Sequence, residues 1–174
     1  MASSKQRANL PKDAAKGKHI GIVVSRYHEE ITKELLDGAT STLESFGAKA
    51  ADINTVWVPG SFEIPFATHL MAQHQQLDAI LCLGVIIKGE TLHDQYIAKE
   101  VATGIAQISR YAGIPVVFGV LTTDTVEQAK ARAGGARGHK GIEAAETAIA
   151  MILVVDQLKS GKKKSTGGVG FDVA

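Results

Sequence analysis

The sequence is poor in the features that mark secreted, membrane-spanning and nucleic-acid-binding proteins. Its single cysteine, Cys82, cannot form an internal disulfide, which fits a reducing compartment. The 19 Lys and Arg residues are almost balanced by 18 Asp and Glu residues, so the net charge of +1 gives no electrostatic basis for binding nucleic acid or an anionic membrane. We therefore expect a cytoplasmic protein that binds small molecules or other proteins, with Cys82 in its core.

Long hydrophobic runs are also absent. The most apolar stretch, residues 148–155, is too short to span a bilayer and has acidic residues around it, so it predicts a buried helix. Residues 1–18 are polar and lysine-rich without the apolar centre of a secretory signal, which predicts a flexible or partner-docked arm. Residues 161–174 are rich in lysine and glycine, which is typical of a disordered tail. Residues 19–160 remain as one predicted domain.

Several motifs that would fix a function are missing. No G-x-G-x-x-G follows the first predicted strand, so a dinucleotide site lacks its glycine turn. His69 and His74 are five residues apart on a predicted helix, which turns them to different faces, and no Cys or carboxylate completes a metal site. No serine has the flanking glycines of a hydrolase nucleophile, and a buried Cys82 would be a poor nucleophile.

Apolar runs alternate with helical patterns four times along the chain. The runs predict strands at 19–25, 53–58, 78–87 and 115–121. The 3.6-residue patterns predict helices at 29–46, 62–73, 92–111, 125–133 and 140–158. Strands and helices that alternate at this spacing form right-handed βαβ units. We therefore expect an α/β fold, a three-layer α/β/α sandwich with a four-stranded parallel, flavodoxin-like sheet and helices on both faces.

The residues that follow the four predicted strands are unusually polar. Ligands of open parallel sheets bind beyond the carboxyl ends of the strands. These ends supply aromatic rings, histidines, carboxylates and turn N–H groups in four segments: Arg26–His28, Pro59–Glu63, Gly89–His93 and Thr122–Asp124. The pattern predicts a site for a polar, ring-containing ligand.

The third of these segments combines an anion-binding pattern with a histidine. Thr91 and Asp94 have the spacing of a capping box, so Thr91 is predicted to cap a helix whose first turn carries His93. A helix N-terminus offers free N–H groups to a phosphate or carboxylate, and the imidazole would lie beside that anion. An ordinary capped helix with a solvated histidine is the alternative that this segment leaves open.

Several ordered segments closely resemble lumazine synthases. They are Val58–Pro65, Gly84–His93, Phe118–Asp124 and the following stretches Glu127–Ala129, Arg132–Gly134 and Lys140–Gly141. The resemblance covers residues 20–158. It implies a riboflavin-pathway enzyme that joins 5-amino-6-(D-ribitylamino)uracil to 3,4-dihydroxy-2-butanone 4-phosphate. The product would be 6,7-dimethyl-8-ribityllumazine, with loss of phosphate and water, and the reaction would need no cofactor or metal.

The resemblance also implies roles in catalysis and phosphate binding. His93 matches the histidine that shuttles protons, and Arg132 matches the arginine that clamps the phosphate. Glu90 and Thr91 match the phosphate-binding turn. For Thr91 the alternative is helix capping alone, and for Arg132 it is a solvated charge.

Further residues match the binding surface for the pyrimidine and its ribityl chain. Tyr27 matches the stacking aromatic, where Phe or Trp is more usual. The ribityl chain and the ring edge would be held by three consecutive residues, Ser61, Phe62 and Glu63, and the pyrimidine would meet the backbone of Ile86 and Ile87. Core packing is the alternative for Phe62. Three positions depart from the family's common residues: His28, Lys88 and Leu92.

The resemblance implies that Phe118 and Lys140 close the site from a neighbouring subunit. Core packing and a solvated face are the respective alternatives. The family forms pentamers, often twelve of them in a 60-subunit icosahedral shell, and riboflavin synthase is a candidate protein partner. The short link at 134–139 favours the shell, and the apolar stretch 148–155 independently indicates burial against a neighbour.

Two functions of other classes remain alongside the enzyme. One is a structural container or flavin-binding shell with little catalysis, and the other is a flavodoxin-like binding module. The presence of Glu63, His93 and Arg132 favours the enzyme.

Overall fold

Four parallel β-strands form the centre of the structure, a computed structural model that describes residues 10–161. They are β1 (Ile20–Ser25), β2 (Ile53–Val58), β3 (Ala79–Ile87) and β4 (Val116–Thr123). The strand order is β2-β1-β3-β4, and every neighbouring pair is parallel. All of β1 and nearly all of β3 are buried, as expected for central strands covered on both faces.

Within residues 10–161, five helices cover the two faces of the sheet. They are α1 (Glu29–Ser45), α2 (Ile64–His74), α3 (His93–Ala112), α4 (Val126–Arg132) and α5 (Lys140–Ser160). One core cluster joins the sheet to α1 and α5 through residues such as Leu35 and Ile149. A second cluster joins the opposite face to α2 and α3 through Ile64 and Val101. The predicted three-layer α/β fold is therefore confirmed.

The segment after β2 differs from the predicted helix at 62–73. A 3₁₀ turn covers Ser61–Glu63, and α2 begins only at Ile64. Pro65 then lies in the first turn of the α-helix, where its missing N–H removes no intrahelical hydrogen bond. The extra turn keeps residues 61–63 at the sheet edge, where they belong to the candidate site.

Helices α1 and α5 approach each other through a glycine. A methyl group at Gly141 would overlap the backbone carbonyl of Leu35. Ala148, Ile149 and Ile152 of α5 are buried, which confirms the buried helix predicted over 148–155. Met151, in the same stretch, stays partly exposed.

Residues 10–18 pack against their own chain. The Ala15 N–H donates to the Phe46 carbonyl at 2.9 Å, and Ala15 is fully buried. The Lys18 ammonium pairs with Asp156 at 2.9 Å and Asp78 at 3.5 Å. The hydrogen bond with Asp156 is the main reason that the pKa of Lys18 is raised. The other predictions for the arm and tail concern residues 1–9 and 162–174, outside the described range.

Cys82 lies in the core, as the sequence predicted. Burial raises the pKa of its thiol to about 12, while a contact with Thr68 at 3.2 Å opposes this. The thiol is therefore protonated at neutral pH and is a poor nucleophile. Among the helices of residues 10–161, none combines the length and apolar character that a bilayer crossing needs.

Candidate active site

A cavity of about 680 Å³ opens at the carboxyl edge of the sheet. Its walls come from the segments after β1 and β2, the end of β3 and the first turns of α3. Eight of the predicted site residues line it, namely Tyr27, Ser61, Phe62, Glu63, Ile86, Ile87, Thr91 and His93. The fold therefore gathers strand ends that are distant in sequence into one concave surface, as parallel topology requires.

The segment after β1 presents an aromatic ring to this cavity. Tyr27 is 70% exposed, and its ring meets that of His28 edge to face, with centroids 4.9 Å apart. The backbone N–H groups of Arg26 and Tyr27 donate to Val58 and Pro59, which ties the segment to the end of β2. Tyr27 thus stands on an anchored backbone with one face free for a ligand ring.

His28 has the left-handed backbone conformation, with φ 61°. It is the one non-glycine residue with positive φ in the described range, and its carbonyl accepts from the N–H groups of Ile31 and Thr32 at the start of α1. Strained backbone of this kind clusters at functional sites. The αL residue directs the chain from β1 into α1 while keeping the adjacent Tyr27 at the cavity.

The segment after β2 contributes a buried hydroxyl and a carboxylate. Ser61 is 6% exposed and donates to the Val85 carbonyl of β3 at 3.2 Å. Glu63 accepts from the Gly60 N–H at 2.9 Å and remains exposed at the cavity. The Ser61 side chain thus fixes this loop on β3, whereas the Glu63 carboxylate is oriented and still available to a ligand hydroxyl.

The end of β3 offers backbone groups to the same cavity. Its last pair with β1 joins Leu83 to Val24, so β3 continues beyond β1. The N–H groups of Ile80 and Lys88 both donate toward the β4 side, to Pro115 and Thr123. Since successive residues of a strand alternate in direction, the N–H and C=O of Ile87 point to the side where β1 has already ended. They face the cavity.

Helix α3 begins one residue later than the capping-box pattern predicts. Its first residue is His93, and Leu92 holds the cap position without a side-chain cap bond. The Thr91 hydroxyl accepts from the His93 N–H at a long 3.4 Å. One oxygen of Asp94 is buried and has no hydrogen-bond partner within residues 10–161. The predicted capping box is wrong, because Leu92 holds the cap position and the Thr91 hydroxyl makes only this long contact with the first residue of α3.

Three predicted site residues lie away from this cavity. Phe118 and Lys140 line a second cavity of about 320 Å³ beside the edge strand β4, between α3 and α5. Phe118 pairs with Cys82, four positions before Thr122 pairs with Ile86, which places it about 13 Å from that strand end. Arg132 ends α4 and lies near Lys140. A single chain therefore holds the predicted residues in two separate groups.

Glu143 joins the two cations of the second group. Its carboxylate accepts from the Lys140 ammonium at 3.2 Å and lies 3.8 Å from the Arg132 guanidinium. Glu143 is not among the residues that the sequence predicted for the site. Its position three residues after Lys140 on α5 is the sequence signal that could have identified it.

Outside the predicted strand-end segments and site residues, the first cavity is also lined by Val85, Asp94, Tyr96 and Ile97. The last two are on α3. They follow His93 by three and four residues, so they share its face of α3. Glu90 is exposed in the turn beside Thr91 and is not among the cavity walls. Within residues 10–161, no three side chains of His, Cys, Asp or Glu lie close enough together to hold a metal ion.

Known proteins resemble this chain in sequence over most of its length. The family model for 6,7-dimethyl-8-ribityllumazine synthase matches residues 17–156. A 6,7-dimethyl-8-ribityllumazine synthase of Protochlamydia amoebophila (strain UWE25) is 52% identical over 139 residues, which cover 80% of this chain and 81% of the relative. All residues that line the two cavities fall within the matched range 17–156.

Proposed function

This chain belongs to the 6,7-dimethyl-8-ribityllumazine synthase family, and from that premise we propose how its own residues perform the reaction. It is a transferase of riboflavin biosynthesis, which condenses 5-amino-6-(D-ribitylamino)uracil with 3,4-dihydroxy-2-butanone 4-phosphate. The products are 6,7-dimethyl-8-ribityllumazine, phosphate and water. The observation that carries the site assignment is the cavity at the sheet edge, where an exposed tyrosine, a carboxylate and a histidine meet.

The pyrimidine occupies the first cavity in this proposal. Its ring stacks on the free face of Tyr27, and its polar edge meets the backbone groups of Ile87 beyond the end of β1. Glu63 accepts hydrogen bonds from hydroxyl groups of the ribityl chain, with Phe62 beside it. Ser61 acts through the loop that it holds on β3, since its own hydroxyl is already bonded. Ile86 completes the apolar wall.

The butanone phosphate lies across the mouth of the same cavity. Glu90 and Thr91 form the turn that receives its phosphate, and the first N–H groups of α3 offer positive partial charge there. His93 is the first residue of α3, so its imidazole lies between this phosphate position and the pyrimidine wall. Arg132 supplies a charge-assisted clamp on the dianion.

His93 transfers protons between the reacting groups. The amine nitrogen of the pyrimidine attacks the ketone carbon, a C–N bond forms, and the imidazole accepts the proton that the nitrogen loses. The same imidazole returns a proton to the hydroxyl, which leaves as water when the Schiff base forms. Loss of the proton on C3 of the butanone chain then expels phosphate, which departs with the electron pair of its C4–O bond. The enol that results becomes a ketone, and attack of the ribitylamino nitrogen on this carbonyl closes the ring with loss of a second water. An imidazole suits these steps because it can act as acid and base near neutral pH.

The two groups of residues meet across a subunit boundary in this proposal. Phe118, Arg132 and Lys140 of one chain complete the cavity formed by Tyr27, Glu63 and His93 of its neighbour. The separate cavity along the edge strand β4 supports this, because Phe118 and Met151 leave apolar surface exposed there.

The assembly in this proposal is a pentamer, with twelve pentamers in a 60-subunit shell. Riboflavin synthase is a candidate partner, and the cytoplasm is the proposed location.

A product assay tests the function directly. Mixing the purified protein with both substrates should produce the absorbance and fluorescence of the lumazine, and omission of either substrate should abolish the signal. A protein that binds flavin but forms no product would instead be a container. Sedimentation of the same sample distinguishes a monomer, a pentamer and a 60-subunit shell.

A further inference from the structure

The imidazole of His139 fills a space beside a glycine in the middle of α1. A methyl group at Gly38 would lie 2.8 Å from Nδ1 of this imidazole and closer still to Cε1 and Nε2. Glycine in the interior of a helix makes that helix less stable than alanine would, so a glycine here calls for a packing reason. The approach of the His139 ring supplies that reason.

His139 also closes the turn between α4 and α5. It forms an isolated antiparallel bridge with Ala133, and the Gly134 N–H donates to the Gly138 carbonyl at 3.0 Å. A methyl group at Gly134 would lie 3.2 Å from Cδ2 of the same ring. The imidazole is therefore held between α1 on one side and the turn that it closes on the other.

The cations of the second group flank this bridge. Arg132 precedes Ala133, and Lys140 follows His139. The carboxylate that contacts both cations belongs to Glu143, whose backbone N–H donates to the His139 carbonyl at 3.1 Å. A shift of the His139 backbone would therefore move both cations and their shared carboxylate.

The ring acts by its shape. Its Nδ1 is buried and has no hydrogen-bond partner among the described residues. Arg132 Nε, at the other end of the turn, is also buried without such a partner. Packing of the ring against Gly38 and Gly134 thus holds this end of the turn, together with the backbone bridge and hydrogen bonds such as that from the Arg137 N–H to the Ala131 carbonyl at 2.9 Å.

We propose that His139 is a positioning residue for phosphate recognition, because its ring, seated against Gly38, fixes the separation of Arg132 and Lys140. The inference rests on the proposed role of these two cations. Displacement of the ring moves the cations while leaving the wall that carries Tyr27 and His93 unchanged. Recognition of the butanone phosphate should then weaken, and binding of the pyrimidine should not.

Three variants test this, namely His139→Ala, Gly38→Ala and the double variant. Each single change should raise KM for the butanone phosphate about tenfold or more, since a misplacement of about 1 Å can cost up to about 100-fold in rate. KM for the pyrimidine should stay within about twofold. In the double variant, the rise in KM for the butanone phosphate should be smaller than the product of the two single rises, because the new methyl group occupies the space that the ring vacated.

His69→Ala is the matched control, because it removes an exposed imidazole from α2 and should change neither KM. The inference is overturned if His139→Ala leaves KM for the phosphate substrate unchanged, raises both KM values equally, or combines multiplicatively with Gly38→Ala. If Gly38→Ala does not assemble, the two KM values of His139→Ala decide alone. Arg132→Ala distinguishes failure of this inference from failure of the proposed function. If KM for the butanone phosphate were unchanged in that variant, the proposed role of Arg132 as a phosphate clamp would itself be refuted.

Discussion

At the residue scale, the two groups of residues in the proposed site differ in charge, since one carries two cations and the other a carboxylate and an imidazole. Arg132 and Lys140 share the carboxylate of Glu143, whereas Glu63 and His93 lie together at the first cavity. A phosphate dianion placed between subunits would meet the cations of one chain and the imidazole of the other. Substitutions in the two groups should therefore affect different kinetic constants.

Replacing Arg132 by alanine should weaken binding of the butanone phosphate and leave binding of the pyrimidine unchanged. Loss of a charge-assisted hydrogen bond costs about 1.5–3 kcal/mol, which corresponds to roughly 10–150-fold in KM for the butanone phosphate. Steady-state kinetics with each substrate varied in turn would measure this. Lys130→Ala is the control, because Lys130 lies in the same helix but pairs with Glu30 at 2.8 Å. An equal rise in KM for both substrates would contradict the role of Arg132 as a phosphate clamp.

Replacing His93 by alanine should slow turnover without disturbing assembly. General acid–base catalysis contributes about 100–10,000-fold, and proximity alone preserves part of the rate, so we expect kcat to fall by about 10–1000-fold. Single-turnover measurement of product formation would show this, and sedimentation would verify the assembly. His74→Ala, which removes an exposed imidazole at the end of α2, is the comparison. Full activity of His93→Ala across neutral pH would rule out the proton transfer.

At the scale of elements, the contact between α1 and α5 positions the cations. Gly141 lies against the Leu35 carbonyl, and Gly38 lies against the His139 ring, so both contacts fall within one turn of α1. The first turn of α5 carries Lys140 and Glu143. The close approach of the two helices thus sets where the second group of the site stands.

Replacing Gly141 by alanine should destabilise the protein. The added methyl group would overlap a backbone carbonyl, which no side-chain rotation can relieve, so we expect a loss of about 1–3 kcal/mol in the free energy of unfolding. Urea denaturation at matched protein concentration would measure this loss. Gly89→Ala should change stability by less than about 0.5 kcal/mol, because a methyl group there meets nothing within 4 Å. Equal stability of the two variants would refute the close packing.

At the scale of the whole molecule, the site should be completed between chains. His93→Ala and Arg132→Ala chains, mixed in equal amounts under reassembling conditions, should regenerate about a quarter of the wild-type sites. A regenerated site needs an intact His93 from an Arg132→Ala chain on one side of the interface and an intact Arg132 from a His93→Ala chain on the other. Each side is the required chain in about half of the interfaces, which gives about one quarter. Product formation before and after mixing would show the recovery.

The matching control mixes His93→Ala with Glu63→Ala. Both residues belong to the same cavity wall, so no hybrid interface contains an intact pair, and activity should not rise above that of the parents. If neither mixture recovers activity although subunit exchange is demonstrated, all the site residues act within one chain.

Local sequence was sufficient to predict the four strands, most of the helices and the gathering of Tyr27, Glu63 and His93. A buried strand is marked by its own apolar residues, and parallel topology brings the carboxyl ends of such strands to one edge. These signals lie within a few residues of the elements that they specify. The sequence did not predict that α3 begins only after Leu92, so that the Thr91 hydroxyl reaches the N–H of His93 at a long 3.4 Å instead of forming the capping box.

The tertiary structure showed how far Phe118 and Lys140 lie from the first cavity of their own chain, and only it placed the His139 ring against Gly38. The first depends on how far along β4 Phe118 falls relative to β3, and the second joins residues about a hundred positions apart. The sequence alone determined which side chains could perform the chemistry, since side-chain type is a local property. The tertiary structure decided which of them meet, because separations between distant residues are fixed by the packing of whole helices against the sheet.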